Sequence, residues 1–100
     1  MNAIEKVKAI KSGKLSAEKN VRGFLERIKK ENKKYNAVLV VNSDAIAEAR
    51  AIDKKKSKGR LAGLGFIVKS NICVSGLETN CASLTLKGWK ASYDASVISR

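Results

Sequence analysis

From Ser16 to Ile28 the chain repeats apolar residues at helical spacing. Ala17, Val21, Phe24, Leu25 and Ile28 stand at i, i+4, i+7, i+8 and i+11, which places all five on one face of a helix of about four turns. That stripe fixes one element and the face it must bury. Ser16 is a good N-cap, and Glu18 falls in the first turn, near the positive end of the helix dipole. Gly23 weakens the helix by about 1 kcal/mol relative to alanine. Lys19, Arg22, Glu26, Lys29 and Lys30 form its solvated face.

The neighbouring elements follow from the same reading. Ile4, Val7 and Ile10 predict a short helix before it, ended by Gly13 in a left-handed cap. YNAVLVV, from Tyr35 to Val41, is a β-branched run that reads as a strand or an extended connection. Ser43 or Asp44 caps a third helix with Ala45, Ile46, Ala49 and Ile52 on one side. KKKSKGR, from Lys54 to Arg60, is a basic linker. Beyond it glycine becomes dense and lysine thins out. LAGLGFIV reads as a tight entry followed by a buried strand, because it lacks polar alternation. Asn80 to Leu86 predicts a short helix, and Asp94 caps a last one, DASVISR. The organisation predicted is a helical region over 1–58, with one extended run, and the start of an α/β core over 59–100.

Charge offers a second line of thought. The 100 residues carry 21 Lys and Arg against 9 Asp and Glu, a net charge of +12. Such a balance suits a basic nucleic-acid-binding module. Aromatic residues are only 5%, however, and they do not cluster as stacking platforms do. The two cysteines, Cys73 and Cys81, match no zinc spacing, and there is no histidine; free thiols in a reducing cytoplasm are expected. The N-terminus alternates charged and apolar residues, so it has no signal-peptide core, and no apolar run approaches a membrane span.

Lys69 stands out because it closes the apolar run. A lysine there either snorkels to water from a strand end or is buried and neutral, which turns a cation into a base. A Ser–Lys arrangement needs a lysine of the second kind. Ser70, Ser75 and Ser83 lie nearby, but none sits in a glycine-rich elbow.

The ordered set Leu61, Ala62, Gly63, Val68, Lys69, Asn71, Ile72, Gly76, Ser83, Leu86, Asp94, Ala95 and Val97 resembles the amidase signature family. Cys81-Ala82-Ser83 and Tyr93-Asp94-Ala95-Ser96-Val97 resemble in particular its tRNA-dependent amidotransferase branch. The first half is also similar: Gly13 to Ser16, Leu25 to Ile28, Asn36-Ala37, and Ala49 to Asp53. Gly65 stands where the family usually has proline, and Ser70 where it has aspartate. The Lys-Ser-Asn-Ile form is similar to archaeal-type members.

The resemblance implies an α/β fold, the N-terminal part of the amidase signature fold: a mixed sheet covered by helices, incomplete in this chain. It implies that Lys69 is the lysine of a Ser–cis-Ser–Lys triad whose two serines lie downstream of this chain. The full enzyme would release ammonia from glutamine or asparagine, for amidation of misacylated Glu-tRNA(Gln) or Asp-tRNA(Asn). The implied partners are the amidotransferase subunits B and C, with ATP and magnesium used by the partner and no cofactor in this chain. A cytoplasmic location is implied. A stand-alone amidase acting on small amides is the alternative within the family. Without the two serines, the 100-residue chain by itself is expected to hydrolyse no glutamine, and ammonia release by the purified chain would overturn that assignment.

Overall fold

The computed structural model describes residues 1–100. They divide into two compact units, Met1–Val38 with Ser43–Phe66, and Leu39–Asn42 with Ile67–Arg100. The first unit holds three helices: α1 (Ala3–Lys11), α2 (Ala17–Tyr35) and α3 (Ala45–Lys54).

Helix α1 opens with a capping box at Asn2. The Asn2 side chain accepts from the Glu5 N–H at 2.9 Å, and the Glu5 carboxylate accepts from the Asn2 N–H at 3.0 Å. The helix is capped at Ser12, and Gly13 follows with a φ of 79°, the left-handed turn that its position predicted.

Helix α2 begins at Ser16, as the sequence implies, but the cap has a second contributor. Ser16 Oγ accepts from the Lys19 N–H at 3.0 Å. The Asp53 carboxylate, on α3, accepts from the Ala17 N–H at 2.7 Å and the Glu18 N–H at 3.1 Å. The first intrahelical bond then runs from the Asn20 N–H to the Ser16 carbonyl at 3.1 Å. The N–H groups of the first three helical residues are thus all matched, which helices otherwise leave to water.

The helix runs 19 residues to Tyr35 and ends at Asn36, whose φ is 50°. It outlasts its apolar stripe because Asn32 takes the next position on the same face. The Asn32 amide exchanges two hydrogen bonds with the Val38 backbone, at 2.8 and 2.9 Å, and so folds the departing chain back onto the helix end.

The core of this unit is built from small residues. Ile10, Ala17 and Ala49 are buried, with Leu15, Val21 and Ile52 packed against them. Alanine on the facing sides of α2 and α3 lets the two helices approach closely, which shortens the reach that Asp53 must make. The segment Leu61-Ala62-Gly63 closes the same cluster. Gly63 has a φ of 76°, and a Cβ there would lie 2.6 Å from Ile10 Cδ1 and 2.9 Å from Ala17 Cβ. Its carbonyl accepts from the buried Asn20 amide at 2.9 Å. Only glycine satisfies both the backbone conformation and the space.

On the surface, Glu18 pairs with Arg22 at 2.7 Å and with Arg50 of α3 at 3.0 Å. The hydrogen bonds from Arg50 and Arg22 hold its carboxyl down at about 2. Lys6 lies over the Phe24 ring, 4.2 Å from its centroid, and so covers part of an aromatic that faces outward.

The second unit has little regular structure. A single antiparallel bridge joins Glu78 and Lys90, flanked by hydrogen bonds from Gly76 N–H to Ala91 O at 2.9 Å and from Thr79 N–H to Trp89 O at 3.0 Å. Ala91 and Thr79 are buried there. A 3-10 turn at Leu84–Leu86 and the short helix α4 (Ser96–Ser99) complete it.

Three expectations change here. LAGLGFIV opens with the expected tight turn at Leu61 to Gly63, but the strand expected after it is irregular chain, with Phe66 66% and Ile67 76% exposed. A buried strand takes its ladder and its cover from other segments, and none in these 100 residues supplies them, so the mixed sheet is absent. The helix expected from Asn80 to Leu86 is reduced to the 3-10 turn, because Cys81 and Ala82 adopt positive φ. Asp94 does not cap the last helix. Ala95 occupies that position, and the Asp94 carboxylate accepts instead from the Ser75 N–H at 2.7 Å. No helix is long and apolar enough to cross a membrane.

Replacing Asp53 with alanine removes two acceptors at once and is expected to lower stability by about 2 kcal/mol. Asp53→Asn, which keeps one acceptor oxygen, should cost less; urea unfolding followed by helical circular dichroism ranks the two. Gly63→Ala adds both strain and overlap, for a loss of about 2 kcal/mol or more. The Glu18 carboxyl is lowered from 4.5 to about 2, so its stabilising contribution is complete above pH 4.5 and is lost as pH falls through 2. The unfolding midpoint of the native chain should drop across that window more steeply than that of Glu18→Gln.

Candidate functional site

Lys69 ends the irregular segment and opens a turn, in which the Ile72 N–H donates to the Lys69 carbonyl at 2.9 Å. Its side chain is exposed, the first of the two placements open to it from the sequence, though no strand precedes it. Ile67, two residues before it, is exposed as well, and no strand forms through this run.

The turn is nevertheless tied down. The Ser70 carbonyl accepts from the Cys81 N–H at 3.2 Å. Cys81 and Ala82 have φ of 49° and 55°, a conformation that residues other than glycine and asparagine seldom take. Asn80 holds it. Its side-chain oxygen accepts from the Ala82 N–H at 2.8 Å, and its amide nitrogen donates to the Glu78 carboxylate at 2.7 Å. The Ser83 N–H returns to the Asn80 carbonyl at 2.7 Å. Beyond the lysine, Asp94 secures the Ser75 N–H, and the Ala95 N–H donates to the Cys73 carbonyl at 2.8 Å. The Asp94-Ala95 pair therefore fastens the far side of the Lys69 loop.

Ser70, Ser75 and Ser83 enter these interactions through backbone groups. Cys73 and Cys81 are both free thiols, Cys73 half-buried and Cys81 exposed. A hydrogen bond with Cys73 raises the Tyr93 hydroxyl above its ordinary value.

Sequence reasoning singled out Lys69 and the residues around it, but it gave Asn80 no role of its own. The signal was present: an asparagine followed by two small residues marks an Asx-turn, in which the side chain bonds its own backbone two residues on.

The likeness to known proteins extends well beyond this segment. A family model described as Amidase matches residues 19–100. The chain belongs to the amidase family. It is 40% identical over 97% of its length to the A subunit of the glutamyl-tRNA(Gln) amidotransferase from Cenarchaeum symbiosum, covering 21% of that protein. Over its full length it is 43% identical to the protein of the same name from Methanothermobacter thermautotrophicus, covering 23% of it. The chain thus spans less than a quarter of the length of these curated relatives. No solved structure matches it.

The two thiols should differ in reactivity. Limited labelling with a maleimide is expected to modify Cys81 before Cys73, as read by peptide mass spectrometry; the reverse order would contradict the placement of Cys73 against Tyr93.

Proposed function

We propose that this chain is the lysine-bearing segment of an amidase that releases ammonia from the side-chain amide of glutamine or asparagine. Lys69 is the proton relay of the Ser–cis-Ser–Lys triad. The observation that carries the reading is the family match across residues 19–100, together with a loop that fixes the Lys69 backbone on both sides. The relay works in both directions. Lys69, uncharged when covered, takes a proton through the bridging serine from the serine nucleophile. That nucleophile attacks the amide carbonyl, and the proton returns to the departing ammonia. Backbone N–H groups of the loop holding the serines stabilise the oxyanion. Both serines belong to residues outside the 100 of this chain.

The relatives' name supports a further step. The ammonia serves transamidation of misacylated Glu-tRNA(Gln) or Asp-tRNA(Asn), in a cytoplasmic complex with subunits B and C in which the partner protein handles ATP and magnesium. Exposure of Lys69 in the chain by itself fits this reading, since a relay lysine becomes a base only when the rest of the fold covers it. A basic nucleic-acid module is less favoured. Lys33 and Lys34 lie in the last turn of α2, where cations favour the helix dipole, and Arg22 and Arg50 are engaged by Glu18.

In the full-length polypeptide, Lys69→Ala should lower glutamine hydrolysis by at least about 10³-fold. Lys69→Arg should not restore it, because a guanidinium does not give up its proton. Undiminished ammonia release from Lys69→Ala would remove Lys69 from the mechanism.

A further inference from the structure

We propose that Asn80 is a positioning residue for Lys69, acting through the left-handed turn at Cys81 and Ala82. The proposal rests on the reading of Lys69 as the proton relay. It starts from an anomaly of backbone conformation. Three non-glycine residues have positive φ: Asn36, Cys81 and Ala82. Asn36 ends a helix, where asparagine is tolerated. Cys81 and Ala82 are consecutive, and neither side chain has an amide or carboxylate to bond its own backbone. Their conformation must be held from outside.

Asn80 supplies that hold. Its Oδ1 accepts from the Ala82 N–H at 2.8 Å, closing a tight ring across Cys81. Its Nδ2 donates to Glu78 Oε2 at 2.7 Å, which fixes the rotation of the amide and leaves Oδ1 facing the turn. Glu78 is itself held in the bridge to Lys90. The chain of restraint therefore runs from the bridge, through a carboxylate and an amide, to two strained residues.

What the turn secures is the lysine. The Cys81 N–H donates to the Ser70 carbonyl at 3.2 Å, and the Ile72 N–H donates to the Lys69 carbonyl at 2.9 Å. Two successive carbonyls, on Lys69 and on the next residue, are thus pinned. With both fixed, the direction in which the Lys69 side chain leaves the backbone is fixed as well. A proton relay depends on that direction, because its nitrogen must come within hydrogen-bond distance of a serine hydroxyl. A misplacement of about 1 Å costs on the order of 10²-fold in rate. If the turn at Cys81 and Ala82 relaxes, the Ser70 carbonyl loses its donor and the lysine loses its aim.

Steady-state glutamine hydrolysis by the full-length polypeptide tests this, with Lys69→Ala measured alongside. Asn80→Ala is expected to lower kcat by roughly 10- to 100-fold, with KM within about twofold, because the turn bears on the relay rather than on substrate binding. Asn80→Ala combined with Ala82→Gly should recover most of kcat, since glycine takes the left-handed conformation without the side-chain acceptor. Asn80→Ser, whose hydroxyl can accept the same N–H, should fall between the two. If Asn80→Ala does not fold, the double variant and Asn80→Ser carry the comparison. Lys69→Ala inactive with Asn80→Ala at full kcat overturns the positioning role alone. A double variant as slow as Asn80→Ala overturns the turn as the means. Lys69→Ala at full activity overturns the reading of Lys69, and this proposal with it.

Discussion

The carboxylate of Asp53 on the N-terminus of α2 is the contact around which the first unit is arranged. It joins residues 35 and 36 positions apart in sequence, and it does so at the end of a helix where two N–H groups would otherwise need water. An anion at that place is favoured twice, by hydrogen bonding and by the helix dipole. The contact also brings α3 against α2 at the level of Ala17. Gly63 packs on the same Ala17 from another side, and its carbonyl is taken by Asn20 one turn further along α2. The start of α2 is therefore a junction of three chain segments, and the small residues Ala17, Ala49 and Gly63 are the condition for their meeting. Enlarging any of them separates partners whose hydrogen bonds depend on contact distance.

This arrangement changes how the Leu61-Ala62-Gly63 signature is understood. Beside the lysine proposed as a proton relay, a short glycine motif invites a chemical reading. Its geometry argues for a structural one. Gly63 is close-packed against Ile10 and Ala17, has positive φ, and offers its carbonyl to an amide from α2. Its task is to moor the chain as it leaves the helical unit, six residues before the lysine. Chemistry and anchorage are adjacent in the motif but rest on different residues.

What the sequence made legible divides along the same line between local and distant causes. The first three helices, the Ser16 cap and the left-handed turn at Gly13 follow from periodicity and from side chains bonding within four residues, and all could be read directly. Asn20 and Asp53 could not, because their partners lie in segments that nothing local connects to them. The Leu61–Val68 run shows the opposite failure. Its composition reads as a buried strand, but burial and pairing are properties of a sheet, and no other segment of these residues pairs with it. Asp94 sits where a cap is expected and bonds Ser75 instead, since a carboxylate takes whichever N–H the tertiary fold presents. Membership of the amidase family was legible because it is an ordered pattern spread over the whole chain, which no single misread element can erase.

The exposed Lys69 and its restrained backbone belong together in one physical account. A lysine that must act as a base needs two things, a place and an environment. The place is a matter of covalent geometry and short hydrogen bonds, and neighbouring turns provide it: Ile72 and Cys81 directly, Asn80 through the turn, Asp94 and Ala95 on the far side of the loop. The environment is a matter of desolvation, which acts only when apolar surface closes over the ammonium from several directions. Neighbouring residues in sequence cannot supply that, for the same reason that they cannot complete a sheet. A segment of this kind can thus hold the lysine in position while leaving it open to solvent. On the proposed reading of Lys69, basicity arises with the closing of the fold, so that the relay becomes competent only when the serines it would serve are also in place.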